Sequence, residues 1–132
     1  MFLLDTDTII YSLKANSNVL RNLEAHKQDP LRICVITLLE LYYGAYKSEK
    51  SISNLVKVRL IEKEFDILPV DDAIAETFGM IKSTLESVGT PLDDFDLIIA
   101  SCALAHNLTL VTNNEKHFHR IEGLKVENWT RP

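Results

Sequence analysis

Short apolar runs alternate with longer helical segments along this chain, and this alternation constrains the fold more than any other feature. The runs cover residues 2–4, 31–36, 67–70 and 108–111, and a fifth is expected at 125–127. The first four runs are mostly apolar at successive positions, which is typical of strands buried on both faces of a parallel sheet. Pro69 favours an edge position for the third strand. We therefore predict an α/β fold with helices on both faces of a parallel sheet of four to five strands.

The segments between these runs predict helices. Ile74, Phe78, Ile81 and Leu85 recur at intervals of four and three residues, which is the spacing of one helix face. Residues 94–106 are apolar almost all round, so the helix there is expected to be buried. Both helices would cover the predicted sheet.

Several helix ends can be placed from capping residues. Thr37, followed by Glu40 three residues later, matches a capping box and predicts a helix start at Thr37. The first helix is expected to begin at Thr8, and Asn107 is expected to end the buried helix. These assignments divide the chain into alternating strands and helices.

Length and composition fit one globular domain over residues 1–132, with 46% apolar and 25% charged residues. The formal charge of −5 argues against a large basic surface for non-specific nucleic-acid binding. It does not exclude a nucleic-acid substrate, because carboxylates that hold a metal lower the formal charge. No run reaches the ~20 apolar residues of a membrane span, and the start does not read as a signal peptide. Cys34 and Cys102 lie in apolar runs, so we expect buried free thiols and a cytoplasmic protein.

Acidic and amide side chains follow the predicted strands at their carboxyl ends. Asp5 ends the first strand, with Asp7 two residues on, and Asn114 follows the fourth. Glu40 lies one helical turn after the second strand, and Asp96 stands near the start of the predicted buried helix. Because ligand sites of parallel sheets lie beyond the carboxyl ends of the strands, we expect these side chains to converge there.

Carboxylates that converge without cations repel one another, and a divalent metal would relieve that repulsion. Oxygen donors with few imidazoles or thiolates select Mg²⁺ or Mn²⁺ rather than zinc. The four histidines fit a zinc site poorly and are expected on the solvated surface: His26, His106, His117 and His119. His117 and His119, together with Lys116 and Arg120, form a small positive cluster that could contact an RNA backbone. The other interpretation is a solvated turn.

Four stretches of the sequence are similar to one known family. They read LLDTDTIIYSLK near the start, then ITLLELYYGA, GTPLDDFDLIIASCALAHNLTLVTNN, and HFHRIEGLKVENW near the end. In this combination the whole chain resembles the PIN-domain ribonucleases, specifically the VapC-like toxins of type II toxin–antitoxin systems. The resemblance implies a three-layer α/β/α fold and Mg²⁺- or Mn²⁺-dependent endonucleolytic cleavage of RNA.

The resemblance also implies roles for individual residues and partners. By position, Asp5, Glu40 and Asp96 are the three acidic metal ligands, and Asn114 stands where the family often has a fourth acid or an asparagine. These four residues are the candidate catalytic set. Because Asn114 is neutral, the number of bound metals stays open. The implied partners are an RNA substrate, a cognate VapB-like antitoxin that blocks the site, and a second copy of the chain in a homodimer.

Other polar residues near these positions have two interpretations. Asp94 is close enough in sequence to Asp96 to be an extra ligand, but capping by Asp93 or Asp94 is the favoured interpretation. Thr6 and Thr112 could hydrogen-bond the metal ligands.

Two rival functions remain open from the sequence. A haloacid-dehalogenase-type phosphatase would explain Asp5 and Asp7, but it lacks the paired acid after a late strand and gives Glu40 no role. A non-catalytic PIN or receiver-like interaction module is the other rival. The receiver version lacks a lysine after the last strands, and an inactive PIN relative would not need to retain Asp5, Glu40 and Asp96.

Overall fold

A computed structural model describes residues 1–132 and contains a sheet of five parallel strands in the order β3-β2-β1-β4-β5. The strands are β1 (Phe2–Leu4), β2 (Leu31–Cys34), β3 (Asp66–Leu68), β4 (Thr109–Val111) and β5 (Val126–Glu127). The helices are α1 (Thr6–Leu13), α2 (Ser17–Ala25), α3 (Val35–Lys47), α4 (Ser51–Glu64), α5 (Asp72–Ser87), α6 (Asp94–Ala105) and α7 (Glu115–Phe118). The predicted parallel sheet, its fifth strand and the edge position of the third strand are all confirmed.

Successive residues of the central strand pack on opposite faces of the sheet. Leu3 of β1 lies in a core cluster with residues of α5 and α6, whereas Phe2 and Leu4 lie in a second cluster with residues of α1, α2 and α4. This alternation follows from the two-residue period of a strand. It produces the predicted three-layer α/β/α arrangement.

Helix α6 is the buried helix that the sequence predicts. Leu97, Ile99, Ala100 and Ala103 are at most 1% exposed. The chain leaves the helix through Asn107, whose φ of 53° is the left-handed conformation that asparagine tolerates. None of the helices combines the length and the apolar character that crossing a membrane requires.

Two predicted helix starts are wrong, and tertiary contacts explain one of them. Helix α3 begins at Val35, so Thr37 lies inside its first turn and does not cap it. The Thr37 hydroxyl instead lies 3.0 Å from that of Thr6 in α1, which removes the predicted capping box. Helix α1 begins at Thr6 rather than Thr8, because Asp5 is its N-cap.

The strand order places the carboxyl end of β1 at the centre of one rim. The chain adds β2 and β3 on one side of β1 and later adds β4 and β5 on the other side. Such a reversal is where ligands bind in open parallel sheets. The residues that follow β1, β2 and β4 therefore meet at this rim.

Candidate active site

Asp5 lies at the centre of the rim and is almost completely buried, with 3% of its surface exposed. Its Oδ1 accepts a hydrogen bond from the main-chain N–H of Thr6 at 2.8 Å, as an N-cap does. Its Oδ2 accepts from the Thr112 hydroxyl at 2.8 Å. The end of β4 and the start of α1 therefore hold both carboxylate oxygens in place, and the predicted support of Asp5 by Thr112 is present in the structure.

Asp7 lies beside Asp5 and is fixed by the same loop after β4. Its Oδ2 accepts from the main-chain N–H of Asn113 at 3.1 Å and lies 3.5 Å from the Thr112 hydroxyl. The Thr8 hydroxyl lies 3.3 Å from its other oxygen. The sequence left the role of Asp7 open, and the structure makes it part of the acidic cluster.

Glu40 joins the site through a pair of threonine hydroxyls. The Thr6 hydroxyl donates to Glu40 Oε1 at 2.7 Å and lies 3.0 Å from the Thr37 hydroxyl. A hydroxyl carries one proton, so Thr6 donates to Glu40 and accepts from Thr37. Thr37 is fully buried and Thr6 is 8% exposed, so water does not compete for this chain of hydrogen bonds. This role of Thr37 was not predicted from the sequence. The available signal was a single hydroxyl among apolar residues, which needs a buried hydrogen-bond partner.

Asp96 is half-buried in the first turn of α6. The two acidic residues that precede it, Asp93 and Asp94, make other contacts. Asp93 caps the helix by accepting from the main-chain N–H of Phe95 at 3.2 Å. Asp94 pairs with Lys82 of α5 at 2.9 Å. The capping interpretation is therefore confirmed for Asp93, and Asp94 is bound to Lys82.

Burial, with added repulsion from neighbouring carboxylates at Asp5 and Asp96, raises the pKa of three carboxyl groups at the rim. Burial, followed by the negative charge of Asp7, raises the pKa of Asp5 from its ordinary 3.8 to about 7, against the hydrogen bonds from Thr112 and Thr6. Burial also raises the pKa of Asp7. The pKa of Asp96 is raised first by burial and then by the charges of Asp93 and Glu40. The rim therefore concentrates negative charge in poorly solvated positions.

Asn114 lies at the exposed lip of the site. Its main-chain N–H donates to the Thr112 hydroxyl at 3.0 Å, and the same hydroxyl donates to Asp5. The structure thus places Asn114 one residue beyond the acidic cluster, with its side chain facing solvent. The arrangement matches its predicted position after the fourth strand.

The histidines and cysteines follow the sequence predictions only in part. Cys34 and Cys102 are buried free thiols, as expected. His117 is exposed, as is its neighbour His119. His26, however, stacks on Trp129 with ring centroids 4.9 Å apart, so its face is covered rather than solvated. The half-buried fourth histidine, His106, lies 3.6 Å from a carboxylate oxygen of Asp71.

The donor set of the rim fits a hard divalent cation. No three histidine, cysteine or acidic side chains are already grouped as a complete set of metal ligands. Mg²⁺ keeps several waters and needs only one or two protein carboxylates, so a complete cage is not required. Buried, mutually repelling carboxylate oxygens with no cationic side chain bonded to them are the donors that such an ion stabilises.

The chain is similar to known proteins along almost all of its length. Residues 2–124 match the family model described as PIN domain. The chain is 36% identical over 129 residues to the tRNA(fMet)-specific endonuclease VapC of Shigella flexneri, covering 98% of each protein. It is 36% identical over 133 residues to ribonuclease VapC2 of Rickettsia felis, covering 99% of each. Its structure matches a chain of the Rickettsia felis VapBC2 crystal structure, bound to a promoter DNA fragment, with a TM-score of 0.92 at 35% identity, covering 97% of this chain and 98% of that one.

Proposed function

The chain belongs to the VapC ribonucleases of the PIN domain family, and from this premise we propose that it is a metal-dependent endoribonuclease toxin, inhibited by a cognate antitoxin. We propose further that residues 1–132 form a single catalytic domain. The observation that carries the enzymatic proposal is the rim itself, where a buried Asp5 with a pKa of about 7 lies among other carboxylates. A scaffold that worked by protein contact alone would gain nothing from this electrostatic strain.

We propose that Asp5 and Asp96 hold Mg²⁺ or Mn²⁺, with Glu40 binding directly or through a water. Such an ion supplies positive charge to the phosphodiester and lowers the pKa of a bound water. Thr112 and Thr6 fix Asp5 in one orientation, so its oxygens need no reorganisation when the ion arrives.

Glu40 is hydrogen-bonded differently from Asp5, and we propose a second role for it besides its contact with the metal. Its Oε1 is occupied by the Thr6 hydroxyl, which leaves Oε2 free for a water molecule. A carboxylate in hydrogen-bond reach of the attacking water can accept its proton. We propose that Asn114, at the open lip, donates from its amide to a phosphate oxygen.

Engagement of Glu40 by Thr6 also separates this proposal from the rival functions. A haloacid-dehalogenase-type phosphatase has no role for Glu40, whereas here Glu40 is hydrogen-bonded to the residue that follows Asp5. A receiver-like module likewise does not explain the convergence of Asp5, Asp7 and Asp96. The relatives' names point to ribonuclease activity alone.

A groove between α1, α3 and α4 gives the antitoxin a route to the site. It has a volume of about 420 Å³, and its lining includes Ile10, Leu13, Leu41, Lys57 and the site residue Glu40. A segment of a VapB-like antitoxin lying in this groove would cover Glu40 and exclude RNA. Homodimerisation, implied by the family resemblance, stays a prediction that light scattering of the purified chain tests.

Cleavage of transfer RNA tests the enzymatic proposal. Since the Shigella flexneri relative is named for tRNA(fMet), initiator tRNA is the first substrate to assay, with an elongator tRNA beside it. We expect cleavage with MgCl₂ or MnCl₂, none with EDTA, and a loss of at least about 100-fold in Asp96→Asn, in line with the loss of a group that acts in the transition state.

The matched control is Asp94→Asn, which makes the same change two residues away. Because Asp94 faces Lys82, this variant should cleave at the parental rate. Cleavage that survives EDTA, or equal loss in both variants, would contradict the proposal.

A further inference from the structure

A polar pocket lies beside the acidic rim and is not explained by the chemistry described above. It has a volume of about 620 Å³ and no apolar residue in its lining. Its walls come from the loop after β4, from α7 and from the chain after β5. Three of its exposed side chains are lysine or histidine: Lys116, His117 and His119.

The floor of the pocket is a closed network of hydrogen bonds. The Asn128 amide donates to Asn113 Oδ1 at 3.2 Å and to Glu115 Oε2 at 3.1 Å. The Thr130 hydroxyl lies 3.1 Å from Asn113 Oδ1, and Arg131 pairs with Glu115. These groups satisfy one another and hold the shape of the pocket. The one acidic residue in the lining is thereby neutralised.

The rim of the pocket, in contrast, carries exposed basic side chains with no acidic partner within the pocket. Lys116, His117 and His119 fall within four consecutive positions and are exposed, and Glu115 is already paired with Arg131. Basic side chains beside a hydrogen-bonded polar floor match an anion rather than an apolar ligand.

The pocket and the acidic rim share one wall. The main-chain N–H of Asn113 donates to Asp7 at 3.1 Å, and that of Asn114 donates to the Thr112 hydroxyl that supports Asp5. A strand whose scissile phosphate lies at the rim would therefore carry its next phosphate across this wall. Phosphate oxygens are the main contacts of proteins with nucleic-acid backbones, and lysine is a common partner for them.

We propose that this pocket binds the backbone phosphate next to the scissile one in single-stranded RNA, with Lys116 and His117 as the groups that contact it. The inference rests on the proposed ribonuclease function and extends it to a second subsite. The network of Asn113 and Asn128 keeps the pocket open for the nucleotide.

The test is a double variant, Lys116→Gln with His117→Asn, compared with Lys125→Gln. Lys125 precedes β5 and so lies at the amino ends of the strands, away from the rim, where it contacts Asn107. Cleavage of initiator tRNA is measured for KM and kcat. Binding of a fluorescent, unstructured RNA 12-mer in MgCl₂ is measured by anisotropy at a series of KCl concentrations. For this assay every protein also carries the substitution Asp96→Asn, which prevents cleavage.

We expect the double variant to raise KM about tenfold with kcat retained, since charge-assisted contacts are worth roughly that much. The slope of log affinity against log salt should fall by about 0.7 for each lost phosphate contact. Lys125→Gln should change neither quantity. Lys116→Gln alone should show part of the effect, which guards against misfolding of the double variant.

The outcomes separate this inference from the proposed function. If the parent cleaves and the double variant behaves like Lys125→Gln, the subsite is wrong and the ribonuclease proposal stands. If the parent does not cleave but the salt slope still falls in the double variant, the ribonuclease proposal fails, and the pocket stands only as a backbone-phosphate site. Absence of any RNA binding by the parent at about 50 mM salt, where phosphate contacts are strong, overturns the subsite.

Discussion

Replacing Asp5 by asparagine is expected to stabilise the metal-free protein at pH 8. The Asp5 carboxyl is 3% exposed, and burial followed by the charge of Asp7 raises its pKa to about 7. Asparagine removes the charge and keeps a carbonyl oxygen for the main-chain N–H of Thr6. Asparagine is also as good an N-cap as aspartate, so α1 should start at the same residue.

The magnitude follows from the difference between the two protonation equilibria. Asp5 ionises near 3.8 in the unfolded chain and near 7 in the folded protein. Since one pH unit corresponds to about 1.36 kcal/mol, ionisation of Asp5 lowers the free energy of unfolding by about 4 kcal/mol above pH 7. That penalty is absent below pH 3.8 and grows between the two values. The weakened Thr112 hydrogen bond costs Asp5→Asn about 1 kcal/mol. The free energy of unfolding of Asp5→Asn at pH 8 should therefore exceed that of the parent by about 3 kcal/mol.

Urea unfolding in EDTA, followed by Trp129 fluorescence, measures this effect. Trp129 is the single tryptophan and is 3% exposed, so its emission should report loss of the core. The experiment compares the parent, Asp5→Asn and Glu122→Gln, which makes the same charge change at an exposed position. The gain of Asp5→Asn over the parent should be near zero at pH 4 and rise to its full value by pH 8. A destabilisation that grows with pH would refute the reasoning, because it would mean that the fold favours the charged carboxylate.

Two further changes test the support of Glu40 and the core. Thr37→Val should fold normally and lower kcat about tenfold, because Thr6 loses the hydroxyl that orders it, while Thr37→Ser should restore the rate. A kcat of Thr37→Val equal to that of the parent would show that the hydrogen bond between Thr37 and Thr6 is unimportant for catalysis. Leu110→Ala should lower the free energy of unfolding by about 3 kcal/mol, since Leu110 is fully buried in the central sheet. A loss below about 1 kcal/mol in urea titration would mean that the cavity collapses.

The fold was predictable because its signals are local. Short, mostly apolar runs marked β1 to β4, and Pro69, directly after β3, marked it as the edge strand. The burial of α6 followed from its apolar residues on all sides. The parallel arrangement then placed Asp5, Glu40 and Asn114 at one rim without any further information.

The errors arose where a distant partner overrides a local pattern. Thr37 and Glu40 have the spacing of a capping box, but Thr6, which lies 31 residues from Thr37 in the chain, binds both. His26 was assigned to the solvated surface because Trp129, its stacking partner, lies at the other end of the sequence. No property of the neighbouring residues could have indicated these contacts.

The choice between Asp94 and Asp96 shows what helix geometry adds. Residues two apart on a helix point about 200° from each other, so only one of them can face the rim. The sequence assigns Asp96 to the site by resemblance and leaves open whether Asp94 is an extra ligand or a cap. The ion pair of Asp94 with Lys82 holds Asp94 away from the rim, which it leaves to Asp96.

Calorimetric titration of the chain with MnCl₂ at pH 6.5 tests the central claim, that Asp5 and Asp96 hold a divalent metal. We expect Mn²⁺ binding to the parent to release up to about one proton, because binding deprotonates an Asp5 whose pKa is about 7. Titration in two buffers of different ionisation enthalpy measures that proton. Asp96→Asn should bind at least about tenfold more weakly, and Asp94→Asn should bind like the parent. Equal affinity in Asp96→Asn and the parent, or no proton release, would contradict the account.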